Sequence, residues 1–254
     1  MIRLLTTATA IAIMGAAVAD DKAKPEKPKY EFRKDHDPNG TGKFYMGREI
    51  ALVMGHEAAA WLERPEREEE ESPALLHKAL RLKPGDVVAD VGAGSGYHTF
   101  RLSKVVGEKG KVFAVDIQQE MLDLVNKKAK RTKRTNIETV LGAETDPKLP
   151  PNSCDLILLV DVYHEFSHPY EMTEAMTKAL KPGGRLAFVE FRLEDSSVPI
   201  KLVHKMSQKQ VVKEMSVHPL AWRTTLDVLP WQHLIIFEKP VAETPRKARS
   251  EGKQ

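Results

Sequence analysis

The stretch VVADVGAGSGYHTFRL, residues 87–102, decides the fold. It begins with a short apolar run, continues through three glycines at alternate positions and ends in a segment with helical spacing. Glycines between a strand and a helix let the backbone turn tightly and approach a ligand. The first turn of the following helix offers free N–H groups to a polar or negatively charged ligand. The stretch therefore predicts a strand–loop–helix unit with a ligand site at the loop.

Apolar runs of strand length recur along the chain and alternate with segments of helical spacing. Continuous apolar runs are typical of strands buried on both faces of a parallel sheet. Alternation of such strands with helices predicts a three-layer α/β sandwich, Rossmann-like in its wiring. The predicted strands span residues 87–90, 111–116, 137–141, 155–160 and 185–190, and the predicted helices lie near residues 102–106, 121–129 and 172–179.

The last two strands of the predicted sheet are connected differently. Two further strands, at 224–229 and 233–237, are separated by three residues only. A connection that short forms a hairpin, because a parallel crossover needs about a dozen residues. The last strand is therefore expected to be antiparallel to its neighbour.

Composition excludes several classes of protein. The chain has 254 residues, of which 41% are hydrophobic, so it can bury a core. A single cysteine, Cys154, excludes an internal disulfide framework and any multi-cysteine zinc site. The net charge is +3, and the one basic cluster, within 127–134, contains no aromatic residue. No nucleic-acid partner is expected.

The ends of the chain differ from the middle. Residues 1–19 combine one charge, an apolar stretch and an A-x-A site, which is the layout of a secretory signal peptide. Residues 20–42 are predicted to be a flexible linker and residues 241–254 a disordered tail. One domain is then expected over 43–240, with helices over 43–82 as an N-terminal cap. Cleavage predicts a periplasmic or secreted protein without a stable membrane anchor; without it the protein is cytoplasmic.

The glycine loop distinguishes between two classes of cofactor. Dinucleotide sites use G-x-G-x-x-G, but the spacing here is G-x-G-x-G, and Tyr97 stands at the third dinucleotide glycine. Asp90 precedes the first glycine by two residues, where a carboxylate suits a cationic amino group better than a pyrophosphate. Asp116 ends the second strand, where a carboxylate can accept hydrogen bonds from both ribose hydroxyls.

Four segments together resemble the successive motifs of class I S-adenosylmethionine-dependent methyltransferases. They are residues 87–102, VFAVDIQQEML at 112–122, SCDLILLVDVYHEF at 153–166 and LKPGGRLAFVEF at 180–191. The resemblance covers about residues 75–238. It implies a seven-stranded sheet in which the last strand is antiparallel to six parallel ones, and S-adenosylmethionine as cofactor.

The resemblance also implies roles for individual residues. The methionine part of the cofactor would lie at the glycine loop, its ribose at the end of the second strand and its adenine beside the residues that follow. The expected binding residues are Asp90, Gly92, Gly94 and Gly96 for the methionine part, Asp116 for the ribose, and Ile117, Ala143 and Glu144 for the adenine. Asp161, at the end of the fourth strand, is expected beside the reacting centre.

Methyl transfer depends mainly on holding the acceptor in line, but a hydroxyl acceptor also needs a base. His164 is the preferred base, with Asp161 beside it, because an unperturbed imidazole titrates near neutral pH. Tyr45, Arg48 and His56 are candidates for covering the site from the N-terminal side. The acceptor is expected to be a small molecule; its identity, the atom methylated and the oligomeric state stay open.

Residues 164–168 match H-E-x-x-H, the zinc-protease motif. That chemistry needs both histidines on one helix, whereas this segment follows a buried strand and meets Pro169 at once. A zinc hydrolase is therefore disfavoured and no metal site is expected. The main alternative to an enzyme is an exported module of the same fold that binds the cofactor or another ligand without turnover.

Overall fold

A computed structural model describes residues 27–241. The predicted signal peptide, residues 20–26 and the chain beyond residue 241 lie outside this range. The strands are β1 (Tyr30–Phe32), β2 (Gly40–Tyr45), β3 (Arg48–Ala51), β4 (Val87–Val91), β5 (Lys111–Asp116), β6 (Ile137–Leu141), β7 (Cys154–Val160), β8 (Leu180–Phe191), β9 (Ala221–Leu226) and β10 (Gln232–Glu238).

Seven of these strands form the main sheet, in the order β6-β5-β4-β7-β8-β10-β9. The pairs β6–β5, β5–β4, β4–β7 and β7–β8 are parallel. β10 lies between β8 and β9 and is antiparallel to both. Six strands therefore share one direction and the last strand runs against them, which confirms the predicted fold class.

Helices cover both faces of this sheet. They are α1 (Arg67–Glu70), α2 (Pro73–Ala79), α3 (Tyr97–Val106), α4 (Gln119–Thr132), α5 (Pro169–Ala179) and α6 (Gln208–Met215), with 3₁₀ turns at His56–Glu63, Tyr163–Glu165 and Leu202–His204. None of the helices within residues 27–241 combines the length and apolar character needed to cross a bilayer.

Alternate residues of the central strands enter two separate apolar clusters. On β7, Ile157 and Leu159 pack in the cluster that includes Met172 of α5. Leu156 and Leu158 pack in the other cluster, with Leu102 of α3. Because successive side chains of a strand point to opposite faces, this division places the helices in two layers around the sheet.

The N-terminal region differs from the prediction. Residues 20–42 were expected to be linker and 43–82 helical, but β1, β2 and β3, within residues 30–51, form a three-stranded antiparallel sheet. The sequence did not predict this sheet, because its strands are short and it is stabilised by the burial of only a few side chains. Tyr45 and Ile50 are fully buried, and helical structure begins only at His56.

A buried ion pair joins this small sheet to the main domain. Arg48 on β3 donates from Nε and Nη2 to the carboxylate of Glu214 on α6, at 2.8 and 3.0 Å. Its Nη1 also donates to the backbone oxygen of His164, at 3.0 Å. The bidentate geometry holds the guanidinium in one orientation. Arg48 is therefore a structural anchor, not the cover of a ligand site that the sequence suggested.

Candidate active site

A cavity of about 560 Å³ opens at the carboxyl ends of β4, β5 and β7. This is the edge at which parallel α/β sheets bind ligands. The volume lies within the range of small-ligand pockets. Of the residues predicted to form the site, those that line the cavity are Gly92, Gly94, Asp116, Ile117, Glu144, Asp161 and His164.

Two glycines of the loop lie so close to neighbouring side chains that neither position has room for a Cβ. Gly92 has φ +76°, and a Cβ there would lie 2.4 Å from Val162 Cγ2. Gly94 has φ +52°, and its Cβ would lie 2.6 Å from Leu62 Cδ1. Gly96 does not line the cavity and instead precedes α3, packed against Phe100. The first two glycines shape the cavity and the third shapes the helix start.

The Asp116 carboxylate is held in place by backbone donors. Its Oδ2 accepts a hydrogen bond from Gly94 N and its Oδ1 from Gln118 N, each at 2.9 Å. Burial raises the pKa of this carboxyl, and the backbone hydrogen bonds oppose the rise. Each oxygen keeps a lone pair for a further donor. Ile117, the next residue, is 41% exposed and presents an apolar side chain to the same cavity.

Asp90 and Ala143, which the sequence assigned to cofactor binding, do not line the cavity. Asp90 is buried behind the glycine loop, and its Oδ2 accepts a hydrogen bond of 2.6 Å from Thr99 Oγ1. Burial raises the pKa of Asp90 to about 6. The backbone N–H of Ala143 donates to the backbone oxygen of Asp146 in a local turn. Neither residue lines the cavity, since each is engaged in local structure.

Asp161 has two features that point to a ligand. Its φ of +50° is strained for a residue other than glycine, and such strain is concentrated at functional sites. Gln232 Nε2 donates to its Oδ2 at 2.5 Å, whereas its Oδ1 is buried without a hydrogen-bond partner among residues 27–241. Burial, with the nearby charges of Glu71 and Glu190, raises the pKa of Asp161 well above its usual value.

His164 is held by a buried carboxylate on the neighbouring strand. Its Nδ1 lies 2.6 Å from Glu190 Oε2. Glu190 on β8 is fully buried, and its Oε1 accepts a hydrogen bond from Tyr163 N at 2.9 Å. Because Nδ1 is directed at a carboxylate, the ring is fixed with Nε2 directed toward His204, a cavity residue.

Two further titratable residues line the cavity near His164. Burial raises the pKa of Glu165 to about 7, and the His164 ring opposes the rise. Burial, followed by the charge of His164, lowers the pKa of His204 to about 4. His168 is directed elsewhere, with its Nδ1 2.9 Å from Ser167 Oγ, and it precedes Pro169 at the start of α5. The two histidines of the H-E-x-x-H segment therefore do not lie on one helix, which confirms the prediction.

A family model described as a methyltransferase domain matches residues 82–235, more than half of the chain. The chain belongs to this family. S-adenosylmethionine is the cofactor that the family implies, in agreement with the expectation from the resemblance of the four segments.

The methyltransferase domain is also similar to individual proteins. A solved structure of an S-adenosylmethionine-dependent methyltransferase from Aquifex aeolicus is 28% identical, with a TM-score of 0.70, and covers 74% of this chain and 100% of its own. The ubiquinone/menaquinone biosynthesis C-methyltransferase UbiE of Vibrio cholerae is 32% identical over 110 residues, 43% of this chain and 42% of its own length.

A demethylmenaquinone methyltransferase of Shouchella clausii is 29% identical over 113 residues, 44% of this chain and 48% of its own length. A protein-L-isoaspartate O-methyltransferase of Methanococcus aeolicus is 29% identical over a stretch of the same length. The chain spans about half the length of these curated relatives, and their names cover both carbon and oxygen acceptors.

Several residues that line the cavity were not predicted. The cover comes from Trp61, Leu62 and Arg67 instead of Tyr45, Arg48 and His56. Arg67 is buried, donating to Leu62 O and to Glu71, which is itself buried. An arginine directly before four glutamates was the available signal. No sequence signal pointed to His204, because its place in the cavity depends on how the segment after β8 folds back toward His164.

Proposed function

We propose that this protein transfers a methyl group from S-adenosylmethionine to a small-molecule acceptor bound in the same cavity. The observation that carries the proposal is the placement of Gly94, Asp116 and His164 around one opening at the ends of the parallel strands. The first two suit the cofactor, and the third faces the space left for an acceptor. S-adenosylmethionine, when bound, supplies a methyl group whose transfer leaves a neutral thioether.

The residues of the cavity fit this cofactor. Gly92 and Gly94 line the cavity without a side chain of their own, so the backbone there is open to the methionine part. The free lone pairs of Asp116 suit two ribose hydroxyls, and the apolar side chain of Ile117 suits one face of adenine. The unpartnered Oδ1 of Asp161 suits a donor or positive charge at the reacting end.

We assign the activation of the acceptor to His164. The hydrogen bond to Glu190 fixes the ring, and Nε2 lies on the cavity side, 3.2 Å from Nδ1 of His204. A cavity of about 560 Å³ has the size of small-molecule sites, which supports a small-molecule acceptor. The role of His164 as a general base stays a prediction.

The test is transfer of label from methyl-labelled S-adenosylmethionine to a library of small hydroxyl, amine, thiol and activated-carbon compounds. We expect at least one product, detected by mass spectrometry, and loss of its formation in His164→Ala. A protein that binds the cofactor but labels no compound would be a binding module and would contradict the proposal. Exposed Asp123→Ala is the matched control and keeps activity.

We also propose that the protein is exported. The support is the layout of residues 1–19, with Arg3 before the apolar stretch and Ala17-Val18-Ala19 before two aspartates. N-terminal sequencing of the protein from fractionated cells is expected to begin at Asp20 in the periplasmic or secreted fraction. An intact Met1 in the cytoplasmic fraction would contradict it.

A further inference from the structure

We propose that His164, Glu165 and His204 bind one divalent transition-metal ion, Zn²⁺ being the best match, at the acceptor end of the cavity. One ligand atom from each residue lies within 4.8 Å of the other two. All three residues line the cavity. Two imidazoles and one carboxylate are a donor set that catalytic zinc sites use, with a further position left for water or substrate. The sequence predicted no metal site, because the histidine that its motif places near His164 is His168 and not His204.

The distances between the ligand atoms match a tetrahedral ion. Nε2 of His164 lies 3.2 Å from Nδ1 of His204. Oε1 of Glu165 lies 3.9 Å from each of these two nitrogen atoms. Zinc bonds of roughly 2.0–2.1 Å at tetrahedral angles place ligand atoms about 3.4 Å apart, whereas adjacent octahedral ligands would be about 2.9 Å apart. Movement of the Glu165 carboxylate by about half an ångström toward the two nitrogen atoms completes the geometry.

The surroundings of His164 are those of a metal ligand. Metal-binding histidines usually donate their second ring N–H to a carboxylate, which fixes the ring and makes the other nitrogen a better ligand. Glu190 supplies that carboxylate at 2.6 Å and is itself fixed by Tyr163 N. The two imidazole rings are nearly perpendicular, at 83°, so their lone pairs can converge without ring stacking.

An ion at this position has an open side toward the cavity. The three ligands come from the turn after β7 and from the 3₁₀ turn Leu202–His204, so they enclose the ion from two directions. A fourth ligand from the cavity would complete four coordination. This step rests on the proposed function: an acceptor with a hydroxyl or thiol would bind the ion through that atom. With the ion bound, His164 would act as a ligand and not as a proton acceptor, and the ion would lower the pKa of the acceptor hydroxyl or thiol in its place.

The test is zinc binding by the untagged full-length protein after removal of metal with a chelator. Titration with ZnCl₂ is expected to give one saturable site, and the desalted protein to retain one zinc per chain. His204→Ala and Glu165→Gln are expected to weaken zinc binding at least tenfold. Glu190→Gln is expected to weaken it by about 10–100-fold, because Glu190 orients a ligand without touching the ion.

Matched controls separate this site from other histidines. His36→Ala changes a histidine in the loop before β2 whose Nδ1 lies 2.8 Å from Asp37 O and 3.4 Å from Glu49 Oε1, and the variant should bind zinc as wild type does. Circular dichroism confirms that each variant is folded; His204, partly exposed, tolerates truncation best. Failure of the folded wild type to retain zinc, equal binding by His204→Ala, or Mg²⁺ binding as tight as zinc would overturn the proposal.

Cofactor binding distinguishes this inference from the proposed function. Metal-free protein is expected to bind S-adenosylmethionine within twofold of the zinc-loaded protein, since the proposed cofactor residues are different ones. Zinc binding by a protein that does not bind the cofactor would support the metal site and remove the proposed function. Cofactor binding by a protein that does not bind zinc would support the proposed function and rule out the metal site.

Discussion

His164 Nδ1 and Glu190 Oε2 lie 2.6 Å apart, and both side chains are buried beneath the cavity. Removing either partner leaves the other polar group buried without compensation, which costs more than the contact itself contributes. The variants His164→Ala and Glu190→Ala, with their double variant, should show a coupling energy of about 1–3 kcal/mol. Urea unfolding of the four proteins, after removal of metal with a chelator, measures this coupling energy. The exposed pair Lys178–Glu174 provides the control cycle and should couple by less than about 1 kcal/mol. Equal coupling in the two cycles would contradict this account.

Replacement of Arg48 by methionine tests whether the N-terminal sheet belongs to the domain. Glu214 is fully buried, so the variant leaves a carboxylate without its bidentate partner. We expect a loss of about 3–5 kcal/mol in the free energy of unfolding. Arg223→Met, at an exposed ion pair with Glu238, should change it by less than about 1 kcal/mol. If both variants unfold at the same urea concentration, the sheet is not anchored as described.

The sheet and the glycine loop were predictable because their signals are local. An apolar run between glycines and helical spacing predicts a buried strand wherever it occurs, and β5 begins at Lys111 and ends at Asp116 as expected. The N-terminal sheet was not predictable in this way. Its strands are short, and Gly40–Tyr45 is polar along most of its length, so stability comes from pairing with distant residues.

The candidate site was predictable only where strand ends determine it. Asp116, Asp161 and His164 follow directly from the order of the strands. His204 lies 40 residues after His164, and the two meet because a loop returns across the cavity. Asp90 was placed by its motif position, but its hydrogen bond with Thr99 removes it from the cavity lining. No local pattern specifies either contact.

The pH dependence of stability tests the burial of Asp90. Its pKa is about 6 in the folded chain against 3.8 as the ordinary value, so the folded state binds more protons between these pH values. The stability of the wild type relative to Asp90→Asn should therefore fall as pH rises from about 4 to about 6, by about 3 kcal/mol. Urea unfolding of both proteins at several pH values measures the difference. A difference independent of pH would show that Asp90 is not buried as described.

Alanine at Gly92 tests the close approach at the glycine loop. Both Gly92→Ala and Gly85→Ala place a side chain at positive φ, which costs about 1–2 kcal/mol. Only at Gly92 would the new Cβ also collide, 2.4 Å from Val162 Cγ2. We expect Gly92→Ala to lose at least tenfold in affinity for S-adenosylmethionine and Gly85→Ala to keep it. Calorimetric titration compares them, and equal affinities would contradict the proposed placement.

The most direct test of the central claim is calorimetric titration of the full-length protein and Asp116→Ala with S-adenosylmethionine. The wild type and the exposed control Asp123→Ala should bind one equivalent. Asp116→Ala, shown to be folded by circular dichroism, should bind about a hundredfold more weakly, because two charge-assisted hydrogen bonds are lost. Absence of binding to the wild type at millimolar cofactor, or equal affinity of Asp116→Ala, would contradict the account.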